Sequence, residues 1–222
     1  MTIPRNQPIW TPRAKVTTAG VLALWAGLAY AIGSTGALYT ESTTPFRPIA
    51  LSAIVPVAIF FTVYATSDRF RAFVLAQDIK TLTTLQIWRV VGFSFLLLYA
   101  HGVLPGLFAW PAGVGDILIG LTAPLIVARL AADSAFARSR RFITFHVLGL
   151  LDFVAAIAAG AIPALIPDGL TSAPMELWPL NLFPSFIVPI FIILHASVFL
   201  KLRALSRATT DTATRHPSWQ AA

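Results

Sequence analysis

Six ionisable side chains lie within or at the ends of long apolar runs: Arg89, His101, Asp116, His146, Asp152 and His195. A charged group in hydrocarbon costs about 3 kcal/mol or more, so each is a candidate for ligand binding, proton transfer or a paired lock between helices. The two histidines His146 and His195, on different runs and with Arg89 near, match the outline of a b-type haem site. That site needs two axial imidazoles at one depth and a basic group for a propionate. Gly149 and Ala196 keep side-chain bulk low beside the two rings. Three histidines and two aspartates also offer donors for zinc, iron or manganese. No HxxxH, HxxEH or ExxH spacing sets two such ligands on one helical face.

Two carboxylates permit another chemistry. Gly113-Val114-Gly115-Asp116 matches the GxGD pattern of intramembrane aspartyl proteases, which this chain superficially resembles, and Pro163-Ala164-Leu165 matches their PAL tripeptide. That resemblance implies Asp116 and Asp152 as a catalytic dyad sharing one proton. The order of the motifs is reversed relative to presenilin, and the PAL falls in a loop. The remaining reading is a transporter or ligand-binding membrane protein, which places polar groups near the midplane on interrupted helices. Pro56, Pro124 and Pro189 would interrupt three runs, Arg89 would serve an anionic ligand, and the aspartates and histidines could carry protons. Gly113–Asp116 and Gly149–Asp152 share a GxxD echo.

The elements that position these groups are membrane spans. Of 222 residues, 57% are hydrophobic and 11% charged, with mean hydropathy +0.76. Soluble domains carry about a quarter charged residues, and a span takes ~20 apolar ones. Six runs qualify, at about 16–38, 48–66, 82–101, 113–130, 142–161 and 181–202, between polar tails 1–15 and 203–222. The first is too long for a signal-peptide core and reads as a retained span. Its Gly20, Ala23, Gly27, Ala31 and Ser34 form a small-residue stripe suited to close packing. Between the second and third runs, Phe70, Phe73 and Val74 sit among basic residues, as in a segment at the membrane surface. The tail from Arg203 reads as loose.

A net charge of +7 invites a nucleic-acid reading, but 14 of the 16 Lys and Arg fall on alternate connections. That is the positive-inside pattern, with both termini cytoplasmic. Nucleic acid is thereby set aside and a lipid bilayer is the implied partner. The chain has no cysteine, so disulfides, thiolate metal sites and cysteine nucleophiles are excluded.

Depth along each span sorts the polar residues at about 1.5 Å per residue. Arg89, His146 and His195 are expected in the cytoplasmic half. His101 and Asp116 are expected together at the outer turn, and Asp152 near the middle, roughly 10 Å from Asp116 in depth. Arg89 should then pair with span five or six rather than across its own hairpin. His146 and Asp152 are about 240° apart around their helix and cannot share one tight centre. Pro189 frees the Ser185 carbonyl.

The string IWRVVG, PAGVGD, GLLD and LFPSFIVPIFIILH, spread over spans three to six, resembles a group of small six-span bacterial membrane proteins without a characterised activity. The resemblance implies six spans and no chemistry. The sequence therefore predicts an all-α, six-span bacterial inner-membrane protein with both ends cytoplasmic. Its leading function is small-molecule binding or transport, in one version proton-coupled, through Arg89, His101, Asp116, His146, Asp152 and His195. Haem on His146 and His195 is the alternative, and aspartyl proteolysis ranks below it.

Overall fold

Prolines and short polar caps mark where the helices start. In the computed structural model, which describes residues 11–40, 47–161 and 171–215, Thr11 caps α1 (Pro12–Ser34), accepting from the Ala14 N–H at 3.1 Å. Pro48 opens α2 (Pro48–Thr66), and Pro105 precedes α6 (Gly106–Ala132). Proline suits a first turn because its missing N–H has no partner there. Ser67 caps α3 (Asp68–Ala76), and Asp78 caps α4 (Ile79–Thr84), accepting at 2.9 Å from the Thr81 N–H and hydroxyl. The third span continues as a 3₁₀-helix, Leu85–Gly92, and ends as α5 (Phe93–Ala100). After α6 come a short 3₁₀ turn, Ser134–Arg138, and α7 (Arg140–Ala161). A π turn, Phe183–Ile187, leads into α8 (Val188–Arg215).

The long helices carry apolar residues on their outer faces. Six are long and apolar enough to cross a bilayer, and among the described residues there is no strand. Leu24, Leu125 and Val154 project outward, more than 60% exposed, as expected where the solvent is hydrocarbon. The chain is a multi-pass, all-helical membrane protein.

Inside, Phe95, Phe108, Ala109, Ala112 and Met175 pack near one end of the bundle. Leu82, Leu130, Phe142 and Val198 pack near the other. The polar groups lie between these two clusters. The hairpin α5–α6 is held close because Gly120 stands against Val90 and the Arg89 backbone; a Cβ there would come within 2.7 Å. No larger residue allows that approach.

Several expectations are corrected here. The stripe of Gly20, Ala23, Gly27, Ala31 and Ser34 does not pack: all five are exposed, and Gly20 and Gly27 have nothing within 4 Å of an added Cβ. The face of α1 that packs carries Trp25, Ala29 and Gly33. There the Trp25 indole N–H donates to the Ser185 carbonyl at 3.1 Å, the carbonyl that Pro189 leaves free, and Asn181 donates to the Gly33 carbonyl at 3.1 Å. Val74 is buried in the bundle rather than at a membrane surface. The chain beyond Arg203 continues α8 as helix to Arg215. Pro163-Ala164-Leu165 and residues 1–10 lie outside the described residues.

Candidate functional site

The 3₁₀ stretch of span three builds the site. Three residues per turn stack positions i and i+3 directly above one another, and runs beyond about four residues are uncommon and often mark function or strain. Here the run covers Leu85–Gly92. It puts Thr83, Gln86, Arg89, Gly92 and Phe95 on one inward line, all buried. An α-helix would fan these side chains over a wider arc.

Arg89 is fully buried at the centre of a four-way junction. Its Nε donates to Asp116 Oδ1 at 2.6 Å, and its Nη2 donates to Asp152 Oδ2 in a second, very short ion pair. Nη1 donates to the Gly149 carbonyl at 3.0 Å and lies 3.3 Å from His195 Nε2. The guanidinium also lies over the Phe153 ring, 4.1 Å from its centroid, in a cation–π contact. An ion in this setting is tolerable only when its donors are used and its charge is paired. Arg89 meets that condition from three helices.

Two glycines make room for the junction. At Gly115 a Cβ would fall 1.6 Å from Asp152 Oδ1, so α7 can bring its carboxylate against α6 only because position 115 has no side chain. At Gly149 a Cβ would lie 2.4 Å from the His195 ring and 3.1 Å from Arg89 Nη1. Only one of these spacers, Gly149, is a glycine of the GxxD echo; Gly115 is the residue before Asp116.

From Arg89 a hydrogen-bond chain runs toward the end of the bundle that carries the termini. Guanidinium can only donate, so His195 Nε2 accepts and the neutral ring carries its proton on Nδ1. His195 Nδ1 then donates to His146 Nδ1 at 2.7 Å. The His146 proton is therefore on Nε2, 3.4 Å from Thr83 Oγ1, and the Thr83 hydroxyl donates to the Ile79 carbonyl at 2.8 Å. Every group has one consistent role, and both rings are neutral. Phe142, Phe145 and Phe199 surround His146 edge-on.

On the other side, Asp116 and Asp152 form part of the wall of a cavity of about 280 Å³. Phe95, Phe108, Phe153 and Phe183 line it, and Arg47 and Glu176 stand at its far end, paired at 2.9 Å. Helix α2 packs on α3, α8 and the π turn, and α7 packs on α6 and α8. The cavity occupies the space between α2 and α7, with the exposed Ile54 and Ile157 on its two flanks.

The expected split by depth is therefore wrong. Asp116 does not pair with His101 at an outer turn; it bonds Arg89 across the hairpin. Span four starts at Gly106, two turns before the expected Gly113, so Asp116 is ten residues in, about 15 Å deep. Span three starts at Ile79, and its 3₁₀ stretch rises ~2 Å per residue instead of 1.5, which carries Arg89 deeper than the cytoplasmic half. Asp116 and Asp152 are not separated in depth either, since one guanidinium holds both. Arg89 does also meet spans five and six, through Asp152, Gly149 and His195. His101 is exposed at the end of α5 and makes no bond to this group.

The geometry bears on each chemistry. The two axial imidazole nitrogens of a haem stand on opposite sides of the iron, about 4 Å apart, two bonds of ~2 Å each. His146 and His195 instead touch at 2.7 Å between aromatic rings, with no slot for a porphyrin, so the arrangement does not fit haem. No group of three or more metal-ligating side chains occurs among the described residues. The two aspartates are bridged by a guanidinium and not by a shared proton, unlike a proteolytic dyad. Every nitrogen of Arg89 is already bonded and the group is fully buried behind the two acids, which removes it as a receptor for an anionic ligand. Gln86, one turn before Arg89, is buried with both amide atoms unpartnered.

No curated protein and no solved structure matches the chain. Residues 46–203, most of its length and all of the site, match the family described as a domain of unknown function, DUF8737. The chain belongs to that family.

Proposed function

We propose that this protein binds a small molecule within the membrane, and transports it, through the cavity above Asp116 and Asp152. The observation that carries this reading is a cavity of about 280 Å³, apolar on its walls, that reaches the ion cluster at mid-bundle. Membrane-embedded sites of this kind place a few polar groups at the midplane against an apolar lining. The positive-inside pattern of the sequence supports a reading in which the end of the bundle where α1 starts and α8 finishes faces the cytoplasm of a bacterial inner membrane, with the Arg47–Glu176 end outside. Proton coupling would reside on the two carboxylates: an arginine cannot give up its proton, so the His195–His146 chain ends at Arg89 instead of passing a proton through it.

The absence of cysteine makes the test direct. Ala156 lines the cavity, whereas Ala123 is fully buried away from it. In proteoliposomes, Ala156→Cys should react with a membrane-impermeant thiol reagent from the Arg47–Glu176 side, and Ala123→Cys should not. Reaction of Ala156→Cys from the opposite side as well would show alternating access. No reaction from either side, and none with a membrane-permeant maleimide either, would remove the cavity reading.

A further inference from the structure

Charge at the cavity floor is unbalanced in one direction. Asp116 and Asp152 bring two carboxylates to the wall, and a single guanidinium answers them from behind. Arg89 is fully buried, while the carboxylate side chains are 14% and 10% exposed. Each acid gives one oxygen to Arg89. Among the described residues, neither Asp116 Oδ2 nor Asp152 Oδ1 accepts a hydrogen bond. The other charges on the cavity, Arg47 and Glu176, cancel as a pair. Those two oxygens lie against Gly92 and Gly115. With both acids ionised, what remains at the cavity wall is about one negative charge in a low-dielectric setting where an opposite charge is strongly attracted.

The walls specify the rest of the ligand. Phe95, Phe108, Phe153 and Phe183 line the cavity, and aromatic rings attract cations as well as apolar groups. The space between α2 and α7, flanked by the exposed Ile54 and Ile157, opens the cavity toward the lipid side of the bundle. A ligand arriving that way dissolves in the membrane first.

We infer that the cavity takes a lipophilic monocation: an organic ammonium whose charge lies against Asp116 and Asp152 and whose apolar body fills the phenylalanine-lined space. This rests on the proposed binding role of the same cavity. The inference reverses the expected preference for an anion, because the arginine is behind the wall and the acids form it.

Three probes of similar size decide it on the purified full chain in detergent: benzyltrimethylammonium, its neutral isostere neopentylbenzene, and the anion benzenesulfonate. Thermal stabilisation against ligand concentration gives each affinity. Ala112→Phe, which fills the cavity from a wall position that touches no ion pair, gives the background from detergent partitioning. The cation should bind at least about ten-fold tighter than the neutral isostere, and the anion should not exceed the Ala112→Phe background. Asp116→Asn and Asp152→Asn should each bring the cation down to the neutral probe's affinity. Equal binding of cation and isostere, or a preference for the anion, would overturn the monocation assignment and leave the cavity as a binding site. If none of the three rises above the background, the binding role fails as well. The wild-type series alone separates these results should a substituted chain not fold.

Discussion

At the scale of single residues, Arg89 organises the protein's interior. Removing one member of a buried ion cluster leaves charge without a partner, which costs roughly 3–5 kcal/mol. Arg89→Met should therefore strongly lower the unfolding temperature in detergent, since two carboxylates would face each other uncompensated. Combining Arg89→Met with Asp116→Asn and Asp152→Asn should recover much of the loss, because the orphaned charge goes with the arginine. If the triple substitution is no more stable than the single one, the cost lies in packing around Phe153 and Gly149 instead. The identity of Arg89, Asp116, Asp152, His146 and His195 as intramembrane polar groups was legible from the sequence. Their connections were not. A guanidinium reaches several ångströms from its Cα in any of several rotamers, so depth alone does not name its partner.

At the scale of elements, two departures from α-helical geometry place the site. The π turn Phe183–Ile187 sits ahead of His195, and the 3₁₀ run Leu85–Gly92 carries Arg89. Prolines at 184 and 189 mark the first. The second has no proline, and its only sequence trace is the period-three spacing of Thr83, Gln86, Arg89 and Gly92. The start of this span depends on its cap. Burial pushes the Asp78 carboxyl up, but hydrogen bonds from the Thr81 N–H and hydroxyl, the Lys80 N–H and the Lys80 charge outweigh it and hold the group below its ordinary 3.8. A depressed carboxyl stabilises the fold above the unfolded-state value and loses that contribution as pH falls through the folded one. Asp78→Ala should thus cost about 1 kcal/mol near neutral pH. The difference from wild type should shrink as pH drops below about 4. A pH-independent difference would mean that the cap acts without its charge.

At the scale of the whole molecule, the cavity and the ion cluster together divide the bundle. One half holds a space that reaches the Arg47–Glu176 pair; the other holds the His195–His146–Thr83 chain. The Arg47–Glu176 pair ties the start of α2 to the segment before the π turn, and the Thr40 N–H also donates to Glu176 at 3.2 Å. Glu176→Gln weakens both contacts at once. It should speed thiol labelling of Ala156→Cys by a few-fold without changing which side the reagent enters from. An unchanged labelling rate would show that the pair is not a gate.

The sequence by itself determined that this is a six-span helical protein, because apolar run length and the cost of an unsatisfied backbone in lipid admit few other solutions. It also pointed to five of the enclosed ionisable residues, since such groups in apolar runs are few and costly, although the sixth, His101, is exposed. Only the tertiary structure decided which of them meet. The meeting of Arg89 with Asp116 and Asp152 depends on where each helix starts, on a stretch that rises faster than an α-helix, and on glycines at 115, 120 and 149 that let backbones approach. Those are small offsets in rise and rotation that accumulate along a span, and apolar composition is nearly blind to them. The same offsets turned the arginine away from the cavity and the aspartates toward it.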